Sequence, residues 1–238
     1  MIVYGINPVL EALRSGRVRE LRVGDRADDR VREILTLAKE HSVRVRRVPA
    51  DVLQRQSQGG VHQGVAAEVE DVREHSLEDL VRGAAGPPLV IVLDGIEDPH
   101  NLGAILRTAD AAGVDGVIMQ ERRSAALGGA AAKTSAGAIS HVKVAQVVNI
   151  ARAIDELKEL GVWSVGLAGE ADASYDTLDL AGPTAVVMGA EGPGLRRLVR
   201  EKCDFLVSIP MQGHVESLNV SVAAGVVLFE AVRQRRSR

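Results

Sequence analysis

The chain is poor in aromatic and sulfur-bearing side chains. Among its 238 residues there are two Phe, two Tyr and one Trp, which speaks against RNA modules that stack bases on aromatic platforms. One cysteine, Cys203, excludes an internal disulfide and fits a reducing compartment. No apolar run approaches the roughly 20 residues needed to span a bilayer. The amino terminus, MIVYGINPVLEALRSGR, lacks the basic stretch before an apolar segment that marks a secretory signal. These absences lead to the expectation of a cytoplasmic protein with no membrane partner. The six histidines are scattered, and none forms a pair at metal-ligand spacing, so no metal is expected. There is no Gly-Lys pair, and hence no Walker A loop. The hydrophobic share of 46% and charged share of 26% are those of soluble globular domains, so disorder, collagen and coiled coil fail as descriptions of the whole chain. The length fits one large domain or two small ones.

Lysine is also scarce, with five residues against 24 arginines. The formal net charge of −3 hides an asymmetry: residues 1–65 hold 12 Lys+Arg against 8 Asp+Glu, and residues 66–238 hold 17 against 24. The amino-terminal excess is nearly all arginine, with Arg22 and Arg46 placed on strand candidates. Guanidinium binds phosphate in a fork geometry, and clustered arginine is a common footprint for nucleic acid. A solvated surface in an arginine-rich proteome gives the same pattern. The tail from Arg233 to Arg238 carries the same two readings.

The first third reads as a small α/β unit. Asn7–Leu13 suggests a short helix with Pro8 in its first turn. Glu20–Val23, Val43–Val48 and Gly64–Val69 suggest strands, the second a half-buried one because apolar residues alternate with arginine. Asp28–His41 has Val31, Ile34, Leu35 and Ala38 at helical spacing. Residues 71–88 are charged, then rich in Gly and Pro, and read as a linker. The division expected is therefore 1–70, a linker over 71–88, and 89–238. From Leu89 the texture changes. Leu89–Leu93 is a continuous apolar run, as in a strand buried on both faces. Further strands are expected at Gly116–Met119, Val142–Val148, Trp163–Ala168, Thr184–Met188 and Phe205–Ile209. Helices are expected over 101–112, 150–160, 194–202 and 218–234. Such alternation implies a parallel sheet covered on both sides. Residues 124–138, small and low in complexity, read as a mobile loop running into a helix.

Three loops combine polar residues with tight-turn residues at the carboxyl ends of strand candidates, the edge where open α/β sheets bind ligands. The first runs from Asp94 through Asn101, a candidate cap, into a helix that carries Arg107. The second is Met188-Gly189-Ala190-Glu191-Gly192-Pro193-Gly194. It is not a dinucleotide loop, because Glu191 stands where a second glycine belongs and repels a pyrophosphate; a cationic or neutral ligand suits it better. The third runs from Ile209 through Met211, Ser217, Leu218 and Asn219. Ser217 is a candidate cap. The helix that follows is apolar on every side through Phe229, as in a core or a subunit interface. That places Asn219 and Ser221 in or near the interior, where they need partners.

Together the stretches DGIEDPHNLGAILRTADAAGVDGVIM, VVMGAEGPGLRRL and SIPMQGHVESLNVSVAAGVVLFEAVRQ resemble the three signature motifs of the SpoU (TrmH) family of RNA ribose 2′-O-methyltransferases. YGINPVLEAL and VHQGVAAEV resemble the family's small substrate-binding domain, so the resemblance spans nearly the whole chain, with no departure at a motif position. It is closest to the bacterial subgroup that methylates guanosine in 23S rRNA. The resemblance implies an α/β knot of SPOUT type, with a trefoil-knotted parallel sheet behind an L30e-like α/β domain. It implies S-adenosylmethionine as cofactor, leaving S-adenosylhomocysteine, and no metal. Gly189, Ile209 and Leu218 match the family's cofactor positions, with Leu167, Ala168, Gly169 and Met211 expected in the same pocket. Asn101, Arg107, Glu191, Ser217 and Asn219 match its catalytic set. The family works as a homodimer with the site beside the interface.

The reaction implied is attack of a ribose 2′-hydroxyl on an already activated methyl, so the protein must align three atoms and manage one weakly acidic proton. Arginine stays protonated up to a pKa above about 12. Arg107 therefore suits holding a phosphate and stabilising a developing alkoxide, with Glu191 the alternative proton acceptor. RNA selection falls to the amino-terminal domain: Arg22 and Arg46 for salt-dependent affinity, and His62 and Gln63 in a turn that touches RNA or merely closes the chain. Arg122, Arg123 and Lys133 would clamp substrate beside the loop. Within the family a tRNA methyltransferase and a non-catalytic RNA-binding relative are the alternatives. A Rossmann oxidoreductase lacks its glycine fingerprint here.

Overall fold

The apolar runs of the later part of the chain become a six-stranded parallel sheet. The computed structural model describes all residues except 15, 25–28, 70–74, 122–123, 126, 128–130, 132–133, 136 and 237–238. The chain divides into two units, one formed by 1–72 with 126–141 and the other by 73–125 with 142–238.

In the first unit β1 (Ile2–Tyr4), α1 (Ile6–Arg14), β2 (Val18–Val23), α2 (Asp29–Glu40), β3 (Arg44–Arg47), α3 (Ala50–Gln56) and β4 (Val65–Val69) follow in order. The strands lie β1-β4-β2-β3, with only β2 and β3 parallel. Helices α1 and α2 pack together through residues such as Val9, Leu13, Val31 and Ile34, which recur at helical spacing and are buried. On α3, Leu53 is buried with Val48 and Ala66. Strand β3 departs from the expectation of a half-buried strand. All four of its residues are exposed, because it is an edge strand with one apolar side chain.

In the second unit the elements are α4 (Leu77–Arg82), β5 (Leu89–Asp94), α5 (Pro99–Ala112), β6 (Gly116–Gln120), β7 (Val144–Val147), α6 (Ile150–Glu159), β8 (Trp163–Leu167), β9 (Thr184–Gly189), α7 (Arg197–Lys202), β10 (Phe205–Val207) and α8 (Val220–Arg236). The strand order is β10-β8-β9-β5-β6-β7, every pair parallel. Both β5 and β9 are buried along their whole length, the environment that an unbroken apolar run requires. One face of the sheet packs on α4, α6 and α7 through Leu80, Val92, Ile154, Leu157, Val187 and Val199. The stretch read as a linker is thus partly core. Ser76 and Asp79 form a capping box that starts α4, and Leu77 and Leu80 are buried. Residues 126–141 likewise fall to the first unit rather than to the second.

The order in which strands enter the sheet positions the site. After β9 the chain runs to the far edge as β10, then returns so that α8 packs on α5 and on β9. Gln234 and Arg235 anchor the far end of α8. Gln234 donates to the Leu178 carbonyl and accepts from the Leu180 N–H, and Arg235 donates to the carbonyls of Pro87, Pro88, Leu180 and Gly182. The start of the basic tail is engaged within the unit: Arg233 pairs with Glu230, and Arg235 is spent on backbone oxygens.

Candidate active site

The carboxyl ends of β5 and β9 lie side by side, with Asp94 in register with Gly189. Three loops leave the sheet on this edge. In the first, Asp98 caps α5 by accepting the His100 N–H at 2.9 Å, and Pro99 takes the first helical position. Asn101 is therefore not the cap expected of it. It lies in the first turn of α5 and is only 7% exposed.

The second loop is closed on itself. Ala190 and Gly194 exchange two backbone hydrogen bonds, of 3.1 and 2.9 Å. Gly192 and Gly194 have φ of 83° and 70°, values that L side chains rarely adopt. Gly189 is forced by contact: a Cβ there would run into the backbone of Gly194 and Leu195. The third loop ends at Asn219, whose Oδ1 accepts the N–H and the hydroxyl of Ser221 at 2.9 and 2.6 Å. Asn219, not Ser217, is the cap of α8. Asn219 is also exposed rather than interior.

The three loops meet in one network. Asn101 Nδ2 donates to Glu191 Oε2 at 3.0 Å. Asn219 Nδ2 donates to Glu191 Oε1 at 2.8 Å and to Asn101 Oδ1 at 2.9 Å. One residue from each motif is thus fixed by the other two, and both oxygens of the carboxylate are held by amides. The helix macrodipole adds to this, since Asn101 and Asn219 stand at helix amino termini, where a carboxylate is favoured. Arg107 and Ser217 stand outside the network. Arg107 is exposed and has no ion-pair or hydrogen-bond partner among the described residues. Ser217 lines the adjoining cavity.

That cavity holds about 420 Å³, within the usual range for small-molecule sites of about 300–1,000 Å³. Leu167, Ala168, Gly169, Gly189, Ile209, Met211 and Leu218 all line it, together with Glu191. Its fit to S-adenosylmethionine can be read from its chemistry. Leu167, Ile209, Met211 and Leu218 give an adenine an apolar slot. Glu170, Glu191 and Glu216 outnumber Arg200, a balance that suits a sulfonium cation. Gly169, Gly189, Gly192 and Gly194 on its wall carry no side chain, which leaves backbone N–H and C=O groups open to a ligand. Among the described residues no group of three His, Cys, Asp or Glu is placed to hold a metal ion.

Sequence reasoning missed Asp94, Arg196 and Gln120, which join at the base of the second loop. A signal was present: an aspartate that ends a strand buried on both faces requires a partner. In the first unit Arg22 is mostly buried and pairs with Glu20 and Glu68 at 2.8 and 2.7 Å, both on strands of its own sheet. Arg46 is exposed on β3. Gln63 has φ of 51°, and its Oε1 accepts the N–H that opens α1, at 3.1 Å. The His62 Nδ1 accepts the Gly64 N–H at 3.1 Å. Both close a turn. Arg122, Arg123 and Lys133 lie outside the described residues, as does much of the loop expected over 124–138.

Comparison with known proteins agrees with this geometry. Residues 88–229 match the SpoU rRNA Methylase family, and residues 2–75 match the RNA 2′-O ribose methyltransferase substrate binding family. The chain is 49% identical to the 23S rRNA (guanosine-2′-O-)-methyltransferase RlmB of Xylella fastidiosa, over 98% of this chain and 96% of that one. Among solved structures it resembles the SpoU methyltransferase AviRb from Streptomyces viridochromogenes in complex with AdoMet, with a TM-score of 0.83 and 28% identity, covering 100% of this chain and 91% of that one. It also resembles an AdoMet-bound rRNA methyltransferase from Sinorhizobium meliloti, with a TM-score of 0.79 and 27% identity, over 98% and 86%. The fold is that of the SPOUT methyltransferases: mixed α/β with a parallel sheet, and an amino-terminal substrate-binding domain. Sheet, loops and sequence agree, and the chain belongs to the SpoU rRNA methylase family.

Proposed function

We propose that this protein methylates the ribose 2′-hydroxyl of a guanosine in 23S rRNA. The observation that carries the reading is the Asn101–Glu191–Asn219 network beside a glycine-cradled cavity. S-Adenosylmethionine, when bound there, supplies a methyl group already activated by positive sulfur. Leu167, Ala168, Gly169, Gly189, Ile209, Met211 and Leu218 hold it. The chain's own task is orientation and proton management. Arg107, exposed and without an acidic partner among the described residues, takes the phosphate next to the target ribose and stabilises the developing alkoxide. Glu191 accepts the hydroxyl proton, its carboxylate fixed by the two asparagine amides. Ser217, on the cavity wall, orients the ribose.

The first unit selects the RNA, with exposed arginines such as Arg46 giving a salt-dependent share of the affinity. The enzyme works as a homodimer. On α8, Val222 and Phe229 are 52% and 49% exposed, seven residues apart on one face, with Val226 between them. Apolar side chains of this size on a helix face mark a protein contact, and a second copy of α8 is the partner that fits a family working in pairs. No described helix is long and apolar enough to cross a membrane, and we place the enzyme in the cytoplasm with its RNA.

The test is methyl transfer from labelled S-adenosylmethionine to unmodified 23S rRNA, 16S rRNA and bulk tRNA, with the product mapped. Label at a single guanosine of 23S rRNA supports the proposal. Label in tRNA overturns the substrate and keeps the chemistry. Binding of RNA without label on any substrate overturns the enzyme.

A further inference from the structure

The network and the cavity leave the buried charge of Asp94 unused. Asp94, the last residue of β5, is fully buried. Arg196 meets it with several donors. Asp94 Oδ2 accepts the Arg196 backbone N–H at 2.9 Å, and Oδ1 accepts its Nε–H at 2.6 Å, with Nη2 beside the same oxygen. Nη2 also donates to Gln120 Oε1, at the end of β6, at 2.9 Å. A buried carboxylate requires a partner, and any cation would satisfy the charge. This arrangement uses more than charge: it spans two strand ends with the planar fork that only arginine supplies.

The position of the fork is informative. Asp94 is the register neighbour of Gly189, where the second loop leaves the sheet. Arg196 follows Leu195, whose backbone nitrogen packs against Gly189. The loop is thus tied back, at its far end, to the strand beside the one it left. Glu191 lies inside the closed span. Asp94 itself opens the loop that leads to Asn101. The same pair of side chains therefore fixes both halves of the Asn101–Glu191 contact.

We propose that Asp94, Arg196 and Gln120 form a positioning clamp for catalysis, holding Glu191 where the amides of Asn101 and Asn219 meet it. None of the three bonds directly to a member of the network; they act through the loop. The proposal rests on the reading of Asn101, Glu191 and Asn219 as the catalytic centre, and its test separates the two.

The experiment is a mutant cycle in single-turnover methyl transfer to 23S rRNA, at saturating S-adenosylmethionine, with the RNA dependence of the rate recorded. Arg196→Lys keeps the charge and loses the fork. It is expected to slow transfer about tenfold, and Glu191→Gln about a hundredfold, in keeping with the cost of a sub-ångström misplacement and of a lost catalytic group. The half-saturating RNA concentration stays that of the wild type in Arg196→Lys. The double variant is expected to be no slower than Glu191→Gln, because the clamp acts wholly through that carboxylate. Multiplied losses in the double variant, or an unimpaired Arg196→Lys, overturn the clamp and leave the catalytic centre standing. An unimpaired Glu191→Gln overturns the centre. If Arg196→Lys does not fold by circular dichroism, Gln120→Met replaces it, since it removes the third contact and leaves Asp94 paired. Its expected loss of about threefold disappears in the Glu191→Gln background, and a loss that persists there overturns the clamp.

Discussion

Replacing Gly189 by alanine tests whether the second loop is held by backbone contact. The added methyl would meet the carbonyl carbon and oxygen of Gly194 and the nitrogen of Leu195 at well under van der Waals separation. None of these is the end of a flexible side chain. Relief therefore requires the loop to rise from the strand by about 1 Å, since carbon atoms rest about 3.5–4.0 Å apart. Two hydrogen bonds between Ala190 and Gly194 make the loop move as a body. Glu191 is then drawn from Asn101 and Asn219, and the cavity wall is displaced. Overpacking of this kind costs about 1–3 kcal/mol, which for about 150–250 residues lowers Tm by about 2–4 °C per kcal/mol. Thermal unfolding followed by circular dichroism, with cofactor titration by calorimetry, reads both effects. A Tm lowered by about 2–12 °C and a cofactor Kd raised at least about tenfold, or about 1.4 kcal/mol, are expected. An unchanged Tm with unchanged cofactor affinity would refute the close approach on which the cavity depends.

Other outcomes follow from the same geometry. Arg107→Ala abolishes methyl transfer, by at least about a hundredfold, while calorimetry shows cofactor binding intact, because Arg107 is not among the residues lining the cavity; full activity would remove it from the mechanism. If the enzyme pairs through α8 as proposed, Phe229→Glu, on the exposed stripe of that helix, sediments as a monomer where the unaltered protein sediments as a dimer, and an unaltered sedimentation coefficient would overturn the α8 pairing. Burial pushes the Cys203 thiol up to about 12. At pH 8 it is the unreactive thiol, so iodoacetamide labels the native protein far more slowly than the unfolded chain; equal rates would show the site open.

The catalytic unit was more legible in the sequence than the way its parts touch. The run Leu89–Leu93 and the segment Thr184–Met188 announce strands because burial on both faces removes every reason for a polar residue. The three loops are legible because glycine, proline and capping residues punctuate them. That Asn101, Glu191 and Asn219 touch is not: they lie 90, 118 and 28 positions apart in the three pairings, and only the family resemblance brought them together. Caps were misread where two candidates stood close. Asp98 before Pro99 obeys the helix-start rule better than Asn101, and Asn219 sits directly before the first helical residue whereas Ser217 does not. The start of α4 was written in Ser76 and Asp79, but the charge and glycine around it suggested a linker. Arg22 shows the limit of charge counting. Its partners Glu20 and Glu68 are supplied by the same strand and by a strand 46 residues on, so a basic residue in an arginine-rich segment became part of a sheet.

The measurement that bears most directly on the account is the effect of Asn101→Ala on turnover and on cofactor binding, taken together. Asn101 joins the network and does not line the cavity. Methyl transfer to 23S rRNA is predicted to fall about a hundredfold, while the calorimetric Kd for S-adenosylmethionine stays within about threefold of the wild type, a change below about 0.7 kcal/mol. A variant that turns over like the wild type would contradict the claim that the three-loop network is the catalytic centre.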